Sequence, residues 1–176
     1  MRTTVLALCA AAFLCGTLGC RKPGHTDPAA TVEEKPGPES SISFAGPDAV
    51  KQIIYGFHQD EGNPWRWTRK KFAVRLLAPL VAPDQAVWLD MEYFVPPAAI
   101  SMAGASIAAR VDVTALEAWA IPGQGQHVYR RRVPASALEG KDAVVVEFSL
   151  SRTIPPSARD DRELGLAVSR IGLIAQ

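Results

Sequence analysis

The chain has 176 residues, 48% of them hydrophobic and 21% charged, and sets 19 Lys and Arg against 18 Asp and Glu. Those numbers exclude a collagen-like repeat, a disulfide-dense mini-protein and a polytopic membrane protein, and they suit one packed domain. A near-neutral chain lacks the basic excess of a nucleic-acid binder, and three His and three Cys leave little material for metal or thiol chemistry.

Arg2 precedes the uncharged run VLALCAAAFLCGTLG, which ends at Cys20. A basic start, an apolar stretch of roughly fifteen residues and small residues at its end predict a secretory signal peptide over residues 1–19. The run is short for a membrane span, which takes ~20 apolar residues. Thr17-Leu18-Gly19-Cys20 resembles the lipobox of bacterial lipoproteins, in which the cysteine is acylated and becomes the first mature residue. Gly19 matches the small residue of that pattern. Thr17 stands in place of the usual Leu, and Leu18 is bulky for its position. All three cysteines, at 9, 15 and 20, fall in this segment, so acylation of Cys20 would consume the one mature thiol and leave no disulfide. Loss of Arg2 would balance the mature chain at 18 basic and 18 acidic residues. The resemblance implies a palmitate-type anchor and a place in the bacterial cell envelope. Arg21, rather than Asp, after the cysteine points to the outer membrane, facing the periplasm or the surface.

Residues 21–41, RKPGHTDPAATVEEKPGPESS, hold four prolines and almost no large apolar group. They cannot bury enough surface to offset their ordering entropy, so the stretch from Cys20 to residue 41 is predicted to be a disordered tether. Its root-mean-square reach is ~25 Å. His25 lies here as a solvated side chain.

The folded domain is predicted over 42–176, and it reads as strands because period-two alternation recurs between Pro and Gly punctuation. Pro47–Ile54 has Val50, Ile53 and Ile54 at helical spacing and predicts one or two helical turns. Phe72, Val74 and Leu76 share a face opposite Lys71, Ala73 and Arg75. Val87, Leu89, Met91, Tyr93 and Val95 point one way, and Trp88, Asp90, Glu92 and Phe94 the other. Ile107, Ala109, Val111 and Val113 alternate with Ala108, Arg110 and Asp112. Val144, Val146, Phe148 and Leu150 alternate with Val145, Glu147 and Ser149. A last strand, LGLAVSRIGLI, slips phase near Arg170, as at a bulge. Many strands with short connections and no long helix predict an all-β fold, an antiparallel jelly-roll-like β-sandwich.

GFHQDEGNPWRWT (Gly56–Thr68) and DDRELGLAVSRIGLI (Asp160–Ile174) are the two most distinctive segments. With Tyr129, Val133-Pro134-Ala135 and Leu138 between them, their order resembles an uncharacterised bacterial β-sandwich domain found beside polysaccharide glycosyltransferases and in envelope proteins. The likeness covers about 54–175, and Asp112-Val113-Thr114 stands where that pattern has a V-N-G turn. It implies a sandwich like those of carbohydrate-binding modules.

Sugar recognition needs a flat aromatic for the apolar face of a pyranose and planar polar groups for its hydroxyls. Trp65, Trp67 and Trp88 are candidates for the first; His58, Glu61, Arg66, Asp90 and Glu92 are candidates for the second. Trp88 is expected to share a face with Asp90 and Glu92. Trp65 and Trp67 have one parity and either fill the core or leave Trp65 to stack on a ligand. Arg66 is expected to pair with Glu61, and Arg162 with Asp161 or Glu61, as a salt-bridged turn rather than a calcium site. Arg130 and Arg132 share one face, which a solvated surface explains better than binding of acidic polysaccharide.

There is no HExxH, P-loop, GxSxG, CxxC or dinucleotide fingerprint. No enzyme, cofactor or metal is therefore expected. The favoured expectation is a lipid-anchored, non-catalytic β-sandwich that binds glycan or another envelope component. The alternatives are a structural lipoprotein packed against an envelope protein partner and, less favoured, a small hydrolase using Glu61 or Asp161.

Overall fold

The computed structural model describes residues 39–176 apart from Pro83, Asp84, Ala98 and Arg159. The expected signal peptide, Cys20 and the tether as far as residue 38 lie outside the described residues. Ten strands follow: β1 (Ser41–Ser43), β2 (Ile53–Phe57), β3 (Arg66–Leu77), β4 (Val87–Val95), β5 (Ser106–Val111), β6 (Thr114–Ala115), β7 (Trp119–Ala120), β8 (Gly125–Val133), β9 (Ala143–Leu150) and β10 (Ala167–Ala175). Every pairing is antiparallel, and the protein is all-β.

The strands curl into two layers joined through β3. In the first layer β10 pairs β4 and β4 pairs β8, while β1 lies on the other edge of β10. In the second layer β2, β3, β9 and β5 follow one another, and the short β6 and β7 both pair β5. The first residues of β3, Arg66 and Trp67, pair β10, whereas Lys71–Leu77 pair β9. Most connections pass from one layer to the other, which makes the sandwich jelly-roll-like.

The alternation expected from the sequence lines the space between the layers. Phe72, Val74, Leu76, Leu89, Met91, Val146, Phe148 and Leu150 are all buried, and their strand neighbours Arg75, Glu92 and Val145 are exposed. The phase slip in β10 is also present: its register against β4 shifts between Val168 and Arg170, so Ser169 is the extra residue of a bulge.

Two expectations are corrected. The one or two helical turns expected over Pro47–Ile54 are present as a five-residue 3-10 helix, Pro47–Lys51, but end earlier, and Ile53 and Ile54 belong to β2. Gln52 ends the turn: its carbonyl accepts the Arg75 N–H at 2.8 Å, and its side-chain amide donates to the Glu39 and Arg75 carbonyls. Val113 is not an inward strand residue. It sits with Asp112 in a two-residue turn between β5 and β6, with Val111 opposite Thr114. Asp112 takes a φ of 50°, a left-handed conformation that Asp tolerates better than most residues. Its carboxylate accepts the Val145 N–H at 2.8 Å and the Lys141 ammonium at 2.7 Å.

Candidate functional site

The two distinctive segments meet, and most of their polar residues hold each other. Arg66 is buried, with its guanidinium 2.8 Å from Asp60 and 5.9 Å from the centre of the Phe44 ring. Its partner is Asp60 rather than the expected Glu61, because the Asp60 carboxylate also accepts the Gly62 N–H and so folds the loop back under Arg66. Glu61 instead pairs with Arg162, whose other nitrogens bind Asp160 at 2.8 and 2.9 Å; Asp160, not Asp161, completes that turn. His58 is buried and donates from Nε2 to the Glu163 carbonyl at 3.0 Å. Thr68, fully buried, accepts the Leu166 N–H on its hydroxyl at 2.9 Å, and its own N–H donates to the Leu166 carbonyl. His58 and Glu61 are thus clasp residues.

The clasp carries a pH dependence. The Arg162 side chain, then the Arg162 backbone N–H, hold the Asp160 carboxyl down at about 2 from its ordinary 3.8. A depressed carboxylate favours the fold above its unfolded pKa and loses that contribution as pH falls through the folded value. The melting temperature is therefore expected to hold from pH 7 to about 5 and to fall between about pH 4 and 2. In Asp160→Asn the acid step should be smaller, and thermal melts across that range would show an unchanged step if the clasp were inert.

The outer face of the first layer holds the remaining candidates. Trp88, Asp90, Glu92 and Phe94 project there from β4, and the register places Arg132, Arg130, Val128 and Gln126 of β8 beside them in that order. Asp90 is gripped by the Arg130 guanidinium through two donors. Trp88 lies between Arg132 and Ile174 of β10. Glu92 is held loosely, with Arg170 at 3.7 Å.

At the far end of this face one row crosses four strands: Gln126, Phe94, Ala167 and Trp67. Ala167 is small and buried, so the row dips at β10 between Phe94 and Trp67, whose strands lie ~10 Å apart. The result is a trough of about 470 Å³ lined by Trp65, Glu92, Phe94, Gln126, His127 and Ser169, among others. Trp65 packs edge-on against Trp67, ring centres 5.5 Å apart. Both indoles are half-buried and face outward, while Arg66 and Thr68 take the inward parity; neither Trp fills the core. His127 takes the inward parity of β8 opposite Tyr93, with ring centres 5.5 Å apart, and its Nε2–H donates to the Gly123 carbonyl at 3.0 Å.

The structure therefore brings Trp65 and Glu92 together and leaves Trp88, Asp90, His58 and Glu61 elsewhere. It adds Phe94, Gln126 and Ser169. Phe94 was legible as an outward residue of β4, but its neighbours depend on strand order, which no local pattern gives. Among the described residues no three His, Cys, Asp or Glu side chains are placed to hold a metal ion.

No family model matches this chain, and no curated protein matches it. A similar solved structure is described as a novel family GH115 4-O-methyl-α-glucuronidase with specificity for decorated arabinogalactans. It is 11% identical, with a TM-score of 0.42, over 66% of this chain and 15% of that one. At that score the likeness carries no argument about activity, and the chain spans about 15% of that protein's length.

Proposed function

We propose that this chain is a lipid-anchored protein of the bacterial envelope whose β-sandwich binds glycan without cleaving it. The observation that carries the binding half is the trough: an indole and a phenyl ring flank a small-residue floor, with an amide, a carboxylate and a hydroxyl at hand for sugar hydroxyls. Glu92 is the one carboxylate among its lining residues. Hydrolysis of a glycosidic bond ordinarily uses two, ~5–9.5 Å apart. The clasp engages Glu61 with Arg162, which argues against a nucleophile there. The resemblance to sandwich domains beside polysaccharide glycosyltransferases agrees with this reading.

Glycan-array binding by the mature protein tests it. Trp65→Ala should weaken binding at least ~10-fold, a loss of ~1.4 kcal/mol or more, with the melting temperature within a few degrees of wild type. Unchanged affinity would defeat the trough as the site. Trp88→Ala, ~13 Å along β4 from Glu92, should leave binding of a short oligosaccharide intact.

The anchoring half rests on Cys20. Cys20→Ala should abolish acylation and leave the precursor unprocessed, as read by labelled palmitate incorporation and by mass. A wild-type protein that is cleaved yet carries no lipid would overturn it.

A further inference from the structure

The end of the sandwich where residue 39 enters carries apolar side chains that no described residue covers. Leu80, between β3 and β4, is 102% exposed, and Val113, in the β5–β6 turn, is 90% exposed; no other described large hydrophobic is as open. Val81 beside Leu80 is 38% exposed. Hydrogen bonds tie these loops into one end. The Leu77 N–H donates to the Glu39 carbonyl, the Ala78 N–H to the Asp142 carbonyl, and Lys141 reaches Asp112 next to Val113. A groove of about 790 Å³ runs between residues 78–82 and 85–86 on one side and the 134–142 loop on the other, with Val133 and Leu138 among its lining residues.

Single exposed hydrophobics are ordinary. Here the two most exposed share the end from which the chain leads back, through residues 21–38, to Cys20. A linker of that composition reaches ~25 Å, so an acyl chain on Cys20 would keep this end within reach of the bilayer. Tethering raises the local concentration of a contact to the millimolar range, so a few apolar side chains suffice to hold an orientation. Arg132 and Lys141 at the groove are matched by Glu139 and Asp142, so the contact needs no anionic lipid.

We infer that this end is a lipid-facing pole: Leu80, Val81 and Val113 enter the interfacial layer of the membrane that holds the Cys20 acyl chains. The inference rests on the lipid-anchor reading above and has a consequence for the trough. β4 starts at this pole, where Ala86 and Gln176 exchange backbone hydrogen bonds, and Glu92 and Phe94 lie at its other end. Standing on the pole, the domain holds the trough ~20 Å or more from the headgroups, open to glycan beyond the membrane.

The test uses the full acylated protein in phosphatidylcholine vesicles, with one environment-sensitive dye at Ala82→Cys or, at the opposite end, at Asp161→Cys. The dye at 82 should shift to the blue and be quenched roughly twofold or more by lipids with a shallow nitroxide; the dye at 161 should do neither. Adding Leu80→Asp and Val113→Asp, both at exposed positions that tolerate charge, should return the dye at 82 to water, and raised salt should not. Equal, water-like emission at 82 and 161 in a chain that floats with the vesicles overturns this inference alone. A blue shift at 82 that the lipid nitroxide does not quench means the loop is covered by protein, and also overturns it. A chain that carries no lipid and does not float overturns the anchor and the pole together.

Discussion

Gly56→Ala is expected to destabilise the domain by more than ~4 kcal/mol, enough to leave much of it unfolded at 37 °C. Gly56 has a φ of +84°, a left-handed conformation that costs any residue with a Cβ ~1–2 kcal/mol. Steric overlap with β3 costs more. A Cβ built there would overlap the Lys71 carbonyl oxygen and lie 2.5 Å from Phe72 Cα and 2.7 Å from Phe72 Cβ. Those atoms are backbone and the root of a fully buried side chain, so they cannot turn aside. The register shows why β3 comes so close: Tyr55 pairs Ala73 and Phe57 pairs Thr68, so β3 bulges over the glycine. Urea unfolding would measure the loss. A cost below ~1 kcal/mol would mean that β2 can move off β3 without disturbing the core.

Phe148→Ala is expected to cost ~3–5 kcal/mol and to lower the melting temperature by on the order of 10 °C or more. The Phe148 ring is fully buried, stacked on Phe72 with centres 5.0 Å apart at 14°, and met edge-on by Tyr129 at 5.8 Å. Phe72 and Phe148 are direct cross-strand partners, so the pair joins β3 to β9 in the middle of the second layer. Tyr129 comes from the first layer, and truncation therefore opens a cavity between the layers where no flexible side chain can refill it. Parallel chemical and thermal melts of the variant and of wild type decide the matter. A loss near zero would place Phe148 outside the cooperative core.

These two residues differ in how they announce themselves. Phe148 is legible because strand alternation is local: a residue's face is fixed by its neighbours two positions away, and AVVVEFSL declares its inner face before any tertiary contact exists. The same holds for β4, for β3 from Phe72 to Leu76 and for the bulge in β10. Gly56 gives no such sign, since the strand that crowds it is fifteen or so residues further along and its approach is a matter of register. In β3 Thr68 and Arg66 turn inward and Trp67 and Trp65 out, and the bulge between Thr68 and Ala73, where Lys70 is exposed, hides that parity from a local count. Hydrophobicity suggests the opposite, and it fails here because Asp60 and the Phe44 ring satisfy the buried guanidinium.

Local pattern thus carries the all-β class, the strand faces and the two segments that matter. It does not carry their partners. Arg162 meets Glu61 across 101 residues, and Leu166 meets the Thr68 hydroxyl across 98. The trough exists because Gln126, Phe94, Ala167 and Trp67, from four strands distant in sequence, fall into one row. Alternation specifies which side of a strand is apolar, and many strand orders would satisfy it equally. Long-range packing selects one order, and with it the site.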